Sequence, residues 1–229
     1  PVDGWTFDPA RASATLCEQL RVAGLQGFGL DARPAAVAAA GALVHYLRET
    51  QKADLAHVRT IRLRETADRL LVDPTTLQHL EVIESSKGGR SGSLLDEIDR
   101  TVTPMGGRLL RRWLNRPLRD QAVLGERHHA VQTLLDATAE AELREAFRGI
   151  GDLERILSRV ALRSARPRDL STLRDGLLAL PALRIRLAPL DSPRLVALSQ
   201  ALGEHLETAA LLQAAINTHP PVLLRDGGV

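Results

Sequence analysis

The stretch Leu94–Asp120, LLDEIDRTVTPMGGRLLRRWLNRPLRD, decides the fold class. Ser93 stands just before it and Asp96 follows three residues later, a spacing that resembles a capping box opening a helix through Leu94, Leu95 and Ile98. Thr103-Pro104 then forms a second start. A threonine oxygen accepts a helical N–H there, and proline at the first helical position loses no hydrogen bond. Behind it Met105, Leu109, Trp113 and Leu114 recur at helical spacing until Pro117 ends the run, and Asp120 is placed to cap the next helix.

Toward the C-terminus the same pattern continues. A long helix is expected from Asp120 through Leu124, Val131, Leu134 and Leu135 toward Phe147, broken by Gly149 and Gly151. Asp152 restarts a helix with Leu153, Ile156, Leu157 and Val160 on one face. Leu170, Leu173, Leu177 and Leu180 make a lengthwise packing seam, which Leu195, Leu198, Leu202 and Leu206 repeat and Leu211, Leu212 and Ile216 extend to His219-Pro220-Pro221.

Toward the N-terminus, Gly88, Gly89 and Gly92 predict a mobile loop over Ser85 to Ser93, and Asp73-Pro74 another capped helix with Leu77 and Leu80. Val58 to Leu63 and Leu70 to Val72, separated by polar Arg64 to Arg69, predict a small β ribbon. Residues 1–55 read as helix, strand, helix: a helix from Asp8-Pro9, a buried strand over Leu25 to Leu30, and a helix from Pro34 to about Thr50 carrying Val37, Ala40, Val44 and Leu47. The expected architecture is mainly α, with a short α/β remnant over 1–55 and a helical domain with long helices over 56–229.

Composition agrees. At 44% hydrophobic with six aromatics in 229 residues, the core is built from Leu, Ala, Val and Ile. The net charge of +2 excludes a uniformly basic nucleic-acid coat, and all but two of the 30 cations, Lys52 and Lys87, are Arg, suited to forked ion pairs and phosphate contacts. A single cysteine, Cys17, forms no internal disulfide and reads as a small core residue; with no signal peptide or apolar span, a cytoplasmic setting is expected. The absence of an initiator Met and the turn at Asp226 to Val229 suggest a piece of a longer protein.

No catalytic pattern emerges. Neither lysine follows a glycine, so the G-x-x-x-x-G-K-[ST] phosphate loop is missing, and no H-x-x-x-H pair offers a zinc site. Asp136, Glu140, Glu142 and Glu145 beside Arg144 and Arg148 read as solvated ion pairs. The most suggestive feature is a local charge excess of +5 over residues 100–120. Arg108, Arg111, Arg112 and Arg116 are candidates to grip nucleic-acid phosphates; the other reading makes them the polar face of the Met105 to Leu114 helix, paired with Asp96, Glu97 and Asp99. A second excess, Arg155, Arg159, Arg163, Arg166, Arg168 and Arg174, carries the same two readings.

Asp99 to Gly106 (DRTVTPMG) and Gly151 to Ile156 (GDLERI), within Leu94 to Asp120 and Gly151 to Leu170, closely resemble the core domain of the MutS family of DNA mismatch repair proteins. The resemblance extends through Ala39 to Leu47, Leu71 to Val82 and Pro220 to Val229. It implies that residues 1–55 are the end of a connector domain and 56–229 the first part of a core, or lever, domain. The resemblance implies that the family's mismatch-probing domain, DNA clamp and ATP-binding domain lie outside this stretch, and the mismatch-probing Phe-x-Glu is absent from the sequence, so no catalytic, cofactor-binding, metal or mismatch-reading residues carry over. The implied role is a non-catalytic lever linking DNA-binding and ATPase parts of a parent protein. That parent would bind ATP and magnesium, mismatched double-stranded DNA, a second MutS subunit and a MutL-type partner. The cut would leave the stripe near Leu195 to Ile216 without its packing partner.

Overall fold

The computed structural model describes residues 3–51, 55–63, 69–222 and 227. Lys52, residues 64–68 of the expected polar spacer and most of the terminal turn lie outside them. The chain forms two compact units, Pro1–Glu65 and Thr66–Val229, and the described residues are mostly helical.

The first unit is built on two helices. Asp8 Oδ1 accepts the Arg11 N–H at 2.9 Å and starts α1, Pro9–Leu20; α2 spans Pro34–Gln51. They close on each other where Gly41 meets Ala12, a contact with no room for a side chain. Ala12, Leu16, Val37 and Val44 form the seam, sealed by Leu25, Leu30 and Leu55. Cys17 packs half-buried against this core. The expected strand over Leu25 to Leu30 is instead a 3-10 turn, Gln26–Phe28. Gly29, at φ 69°, reverses the chain so that Leu25 and Leu30 both turn onto the helices, which a strand's two-sided alternation would prevent. Val58, Ile61 and Leu63 cover the same core, with no partner strand among the described residues, and Gln19 Nε2 donates to the Leu55 and Val58 carbonyls. The expected ribbon reduces, among the described residues, to one antiparallel bridge between Arg69 and Leu118.

In the second unit Asp73 caps α3, Pro74–His79, and Ser93 Oγ caps α4, Leu94–Ile98, by accepting the Asp96 N–H. The reciprocal bond of a capping box is not made. The Ser93 N–H already bonds the Arg90 carbonyl, so the Asp96 carboxylate takes Gly92 N–H instead. The glycine loop before it is bonded internally, Ser85 N–H to the Gly89 carbonyl and Ser86 N–H to Glu81 Oε1. Thr103 caps α5, Pro104–Asn115, and Asp120 caps α6, Gln121–Asp136.

The long helix expected to reach Phe147 stops at Asp136. Thr138, at φ 51°, and an Ala139 N–H bond to the Leu134 carbonyl reverse the chain into α7, Glu140–Arg148. The reversal brings Leu143 and Phe147 back onto Ala130 and Leu134, which a straight helix would carry away from the core. There follow α8, Leu153–Ala161, α9, Pro167–Leu187, α10, Pro193–Ala201, and α11, Leu206–Ala215. The leucine repeat from 195 to 216 is therefore divided, with Gly203 and His205, at φ 48°, at the break. Leu183, Leu187, Leu190 and Leu195 join Ala130, Leu143 and Ile150 in the core. Along that repeat Leu195 and Ala209 are buried, whereas Val196, Leu198, Leu206 and Leu211 are exposed.

Candidate functional site

Of the arginines singled out in the sequence, Arg108, Arg111, Arg155 and Arg159 line a cleft of about 850 Å³ between the turn after α4, the start of α5, α8 and the start of α9. Capping chemistry places them. The short link Asp99 to Thr103 swings α5 away from α4, and Asp152 at the head of α8 faces Arg108 one turn into α5.

Three ion-pair groups line this cleft. Arg90 Nη2 donates to Asp99 Oδ2 at 2.6 Å, while Asp99 Oδ1 accepts from the Thr101 hydroxyl at 2.6 Å and its N–H at 2.9 Å. Arg108 forks both terminal nitrogens onto the Asp152 carboxylate at 2.8 and 2.7 Å and reaches Glu154 at 2.7 Å. Arg159 meets Asp169 at 2.5 Å, and Asp169 also takes the Arg166 N–H that starts α9. Asp99, Asp152 and Asp169 thus each serve both an arginine and a backbone N–H, Asp152 through the Arg155 N–H.

The titration follows from this. Thr101's hydroxyl, then its N–H, hold the Asp99 carboxyl down to about 2, with Arg90 adding to the effect. Arg108 lowers Asp152 and is itself raised by Asp152 and then Glu154. A carboxyl depressed on folding binds fewer protons folded than unfolded. Its contribution is complete above the ordinary value of 3.8 and disappears as pH falls through about 2. We therefore expect acid to destabilise the second unit between these values, and Asp99→Asn to flatten that part of the stability profile. An unchanged slope in urea titrations would contradict this.

The four sequence candidates separate. Arg108 is committed to Asp152 and Glu154, not to Asp96, Glu97 or Asp99; Asp96 and Asp99 belong to Arg90, which sequence reasoning passed over. Arg111 only approaches Glu84, at 3.8 Å. Arg112 and Arg116 are exposed, and their guanidinium groups make no hydrogen bond or ion pair among the described residues. Of the charges on α7, Arg148 meets Glu145 with both exposed, as expected, and Glu142 stands 4.0 Å from Arg186 of α9, whereas Arg144 donates to the Arg100 carbonyl rather than to a carboxylate. From the second excess, Arg174 is almost wholly buried. It donates to the Ile216, Asn217 and Thr218 carbonyls and pairs with Asp175, fastening the end of α11 to α9. Its position, four residues after Leu170 and three before Leu177, put it on the apolar stripe, a signal of burial.

Among the described residues no group of His, Cys, Asp or Glu is arranged to hold a metal ion, and no helix is long and apolar enough to cross a membrane. The motifs TVTPMG and GDLERI are thus the two sides of one joint: Thr103 and Pro104 start α5, and Asp152 and Glu154 receive its Arg108.

Two family models match the chain. MutS domain III covers residues 75–229, and MutS domain II covers residues 1–59. With both domains in order, one of them spanning most of the sequence, the chain belongs to the MutS family of DNA mismatch repair proteins.

Proposed function

We propose that the chain acts as a non-catalytic connector and lever, passing conformational change between ATP-binding and mismatch-binding parts of a protein that carries it. The observation that supports this reading best is the three-way joint of Arg90–Asp99, Arg108–Asp152–Glu154 and Arg159–Asp169. Arg108 ties α5 to α8, Arg159 ties α8 to α9 and Arg90 holds the link that leads into α5, while α5 buries no residue fully, so its orientation rests on side chains that can be exchanged as a set. ATP and magnesium would act in that protein outside domains II and III. Mismatched duplex DNA, a second MutS subunit and a MutL-type protein would be partners of the whole.

The test uses the 229-residue chain. No phosphate release from magnesium-ATP, and no anisotropy change with matched or mismatched duplexes at about 0.1 M salt, are expected. ATP turnover by the chain would overturn the reading. A second reading, in which the Arg-rich helix itself grips nucleic acid, is favoured only by the exposure of Arg112 and Arg116. Binding that falls steeply with salt and is lost with Arg111→Ala plus Arg112→Ala would establish it.

The joint itself makes a further prediction. In a double-mutant cycle, Arg108→Ala and Asp152→Asn should be strongly non-additive, because Asn keeps the α8 cap while removing the charge that Arg108 meets. Additive effects on the urea midpoint would show that the pair does not act as a unit.

A further inference from the structure

The longest described helix, α9, carries a proline in its interior, Pro181. Proline has no N–H, so the Leu177 carbonyl loses the donor that any other residue at 181 would give it, and the ring crowds that same turn. Bends in helices concentrate at such places. The two sides of Pro181 are held by different parts of the second unit. Before it, Asp169 meets Arg159 of α8 and so belongs to the joint. After it, Leu183 and Leu187 lie in the core with Leu143 and Ile150, and Arg186 stands 4.0 Å from Glu142 of α7.

α11 packs along α9 and is anchored to it on both sides of the proline. Its end is clasped by Arg174, before Pro181, through the Ile216, Asn217 and Thr218 carbonyls. The link leading into it is held by Arg184, after Pro181, which donates to Glu204 Oε1 at 3.0 Å. The two anchors differ in strength. Arg174 is buried and bonded at several points, whereas Arg184 and Glu204 are exposed, and such pairs hold weakly. Between the anchors α11 buries only Ala209, so little else fixes it to α9.

We propose that α9 bends at Pro181 and that α11 is a strap across the bend, released at Arg184–Glu204 and kept at Arg174. The bend lets the half of α9 that belongs to the joint swing against the half seated in the core without unfolding either. As the moving part of a lever, it rests on the reading given above.

The experiment places nitroxide labels on Arg168→Cys and Ile185→Cys, exposed positions toward either end of α9, in the 229-residue chain with Cys17→Ser, this labelled chain being the reference for every comparison. Pulsed electron spin resonance reads their separation, and a straight helix would put the two backbone positions about 25 Å apart. Glu204→Gln is expected to enlarge the bent population, at shorter distance, by roughly two- to fivefold. Pro181→Ala should abolish that response, because the restored N–H bonds the Leu177 carbonyl. A distribution that Glu204→Gln leaves unchanged, or that it changes equally in the Pro181→Ala background, would overturn the proposal. Failure of the lever reading shows separately, as ATP turnover by the chain, which leaves this distance untouched.

Discussion

Arg174→Ala is expected to destabilise the second unit by about 3 kcal/mol, read as a lowered urea midpoint, and to raise hydrogen exchange first at the end of α11. Arg174 is the only arginine in the buried part of the chain that the structure describes, and its guanidinium serves the carbonyls of Ile216, Asn217 and Thr218. Removing it leaves carbonyls at a helix end without donors, each worth about 1–3 kcal/mol when buried, and opens a gap beside Leu173 and Leu177. Arg174→Lys should recover only part of the loss, because one ammonium cannot reach three carbonyls from the fork's positions. A midpoint shift within about 0.5 kcal/mol of wild type, the range of surface substitutions, would show that the clasp is not what holds α11 on α9.

The second large effect is expected from Gly41→Ala. A Cβ there would stand 2.5 Å from both Cα and Cβ of Ala12 and 2.9 Å from its carbonyl oxygen. Backbone cannot step aside as a side-chain end can, so α1 and α2 must separate, at the upper end of the roughly 1–3 kcal/mol that overpacking costs. Alanine's better helix propensity returns about 1 kcal/mol, leaving a net loss of about 2 kcal/mol. Gly125→Ala in α6 is the matched control. Nothing lies within 4 Å of its Cβ position, so propensity alone acts and the change should stabilise. Trp5 fluorescence in a Trp113→Phe background reads the first unit for Gly41→Ala, and Trp113 fluorescence in a Trp5→Phe background reads the second for Gly125→Ala; a midpoint raised by Gly41→Ala as by Gly125→Ala would contradict the close approach.

Helix starts were legible because their chemistry is local. Asp8, Asp73, Thr103, Asp120 and Asp152 all cap as their sequences indicate, the first three with proline directly after. Helix ends were legible only where Pro117 and Gly149 mark them. Arg21, Glu81, Thr138 and Arg163 reverse the chain at positive φ, where a reader looks for glycine, so the stop after Asp136 left no mark in composition. These reversals are imposed by tertiary packing, as when Leu143 returns to Ala130. The strand expected at Leu25 to Leu30 failed for a related reason: flanking glycines fit a tight turn as well as a strand, and only the burial of both leucines distinguishes them.

For the site, the sequence located the arginines but not their partners. Arg108 meets carboxylates 44 and 46 residues away, and no periodicity reaches that far. The Trp113–Arg127 stack and the Arg174 clasp are likewise long-range in sequence or hidden by it, since an arginine on an apolar stripe looks like an interruption until its carbonyl partners are seen.

The proposal that this chain transmits rather than reacts is tested most directly in a mismatch repair protein that carries it. Arg108→Ala, which opens the joint while leaving the capped helices in place, would be compared with wild type for mismatch binding, ATP turnover and the release of mismatched DNA on adding ATP. The account predicts that binding and turnover persist separately while ATP no longer speeds release. ATP-driven release at the wild-type rate, with the joint shown open by hydrogen exchange across α5 and α8, would contradict it.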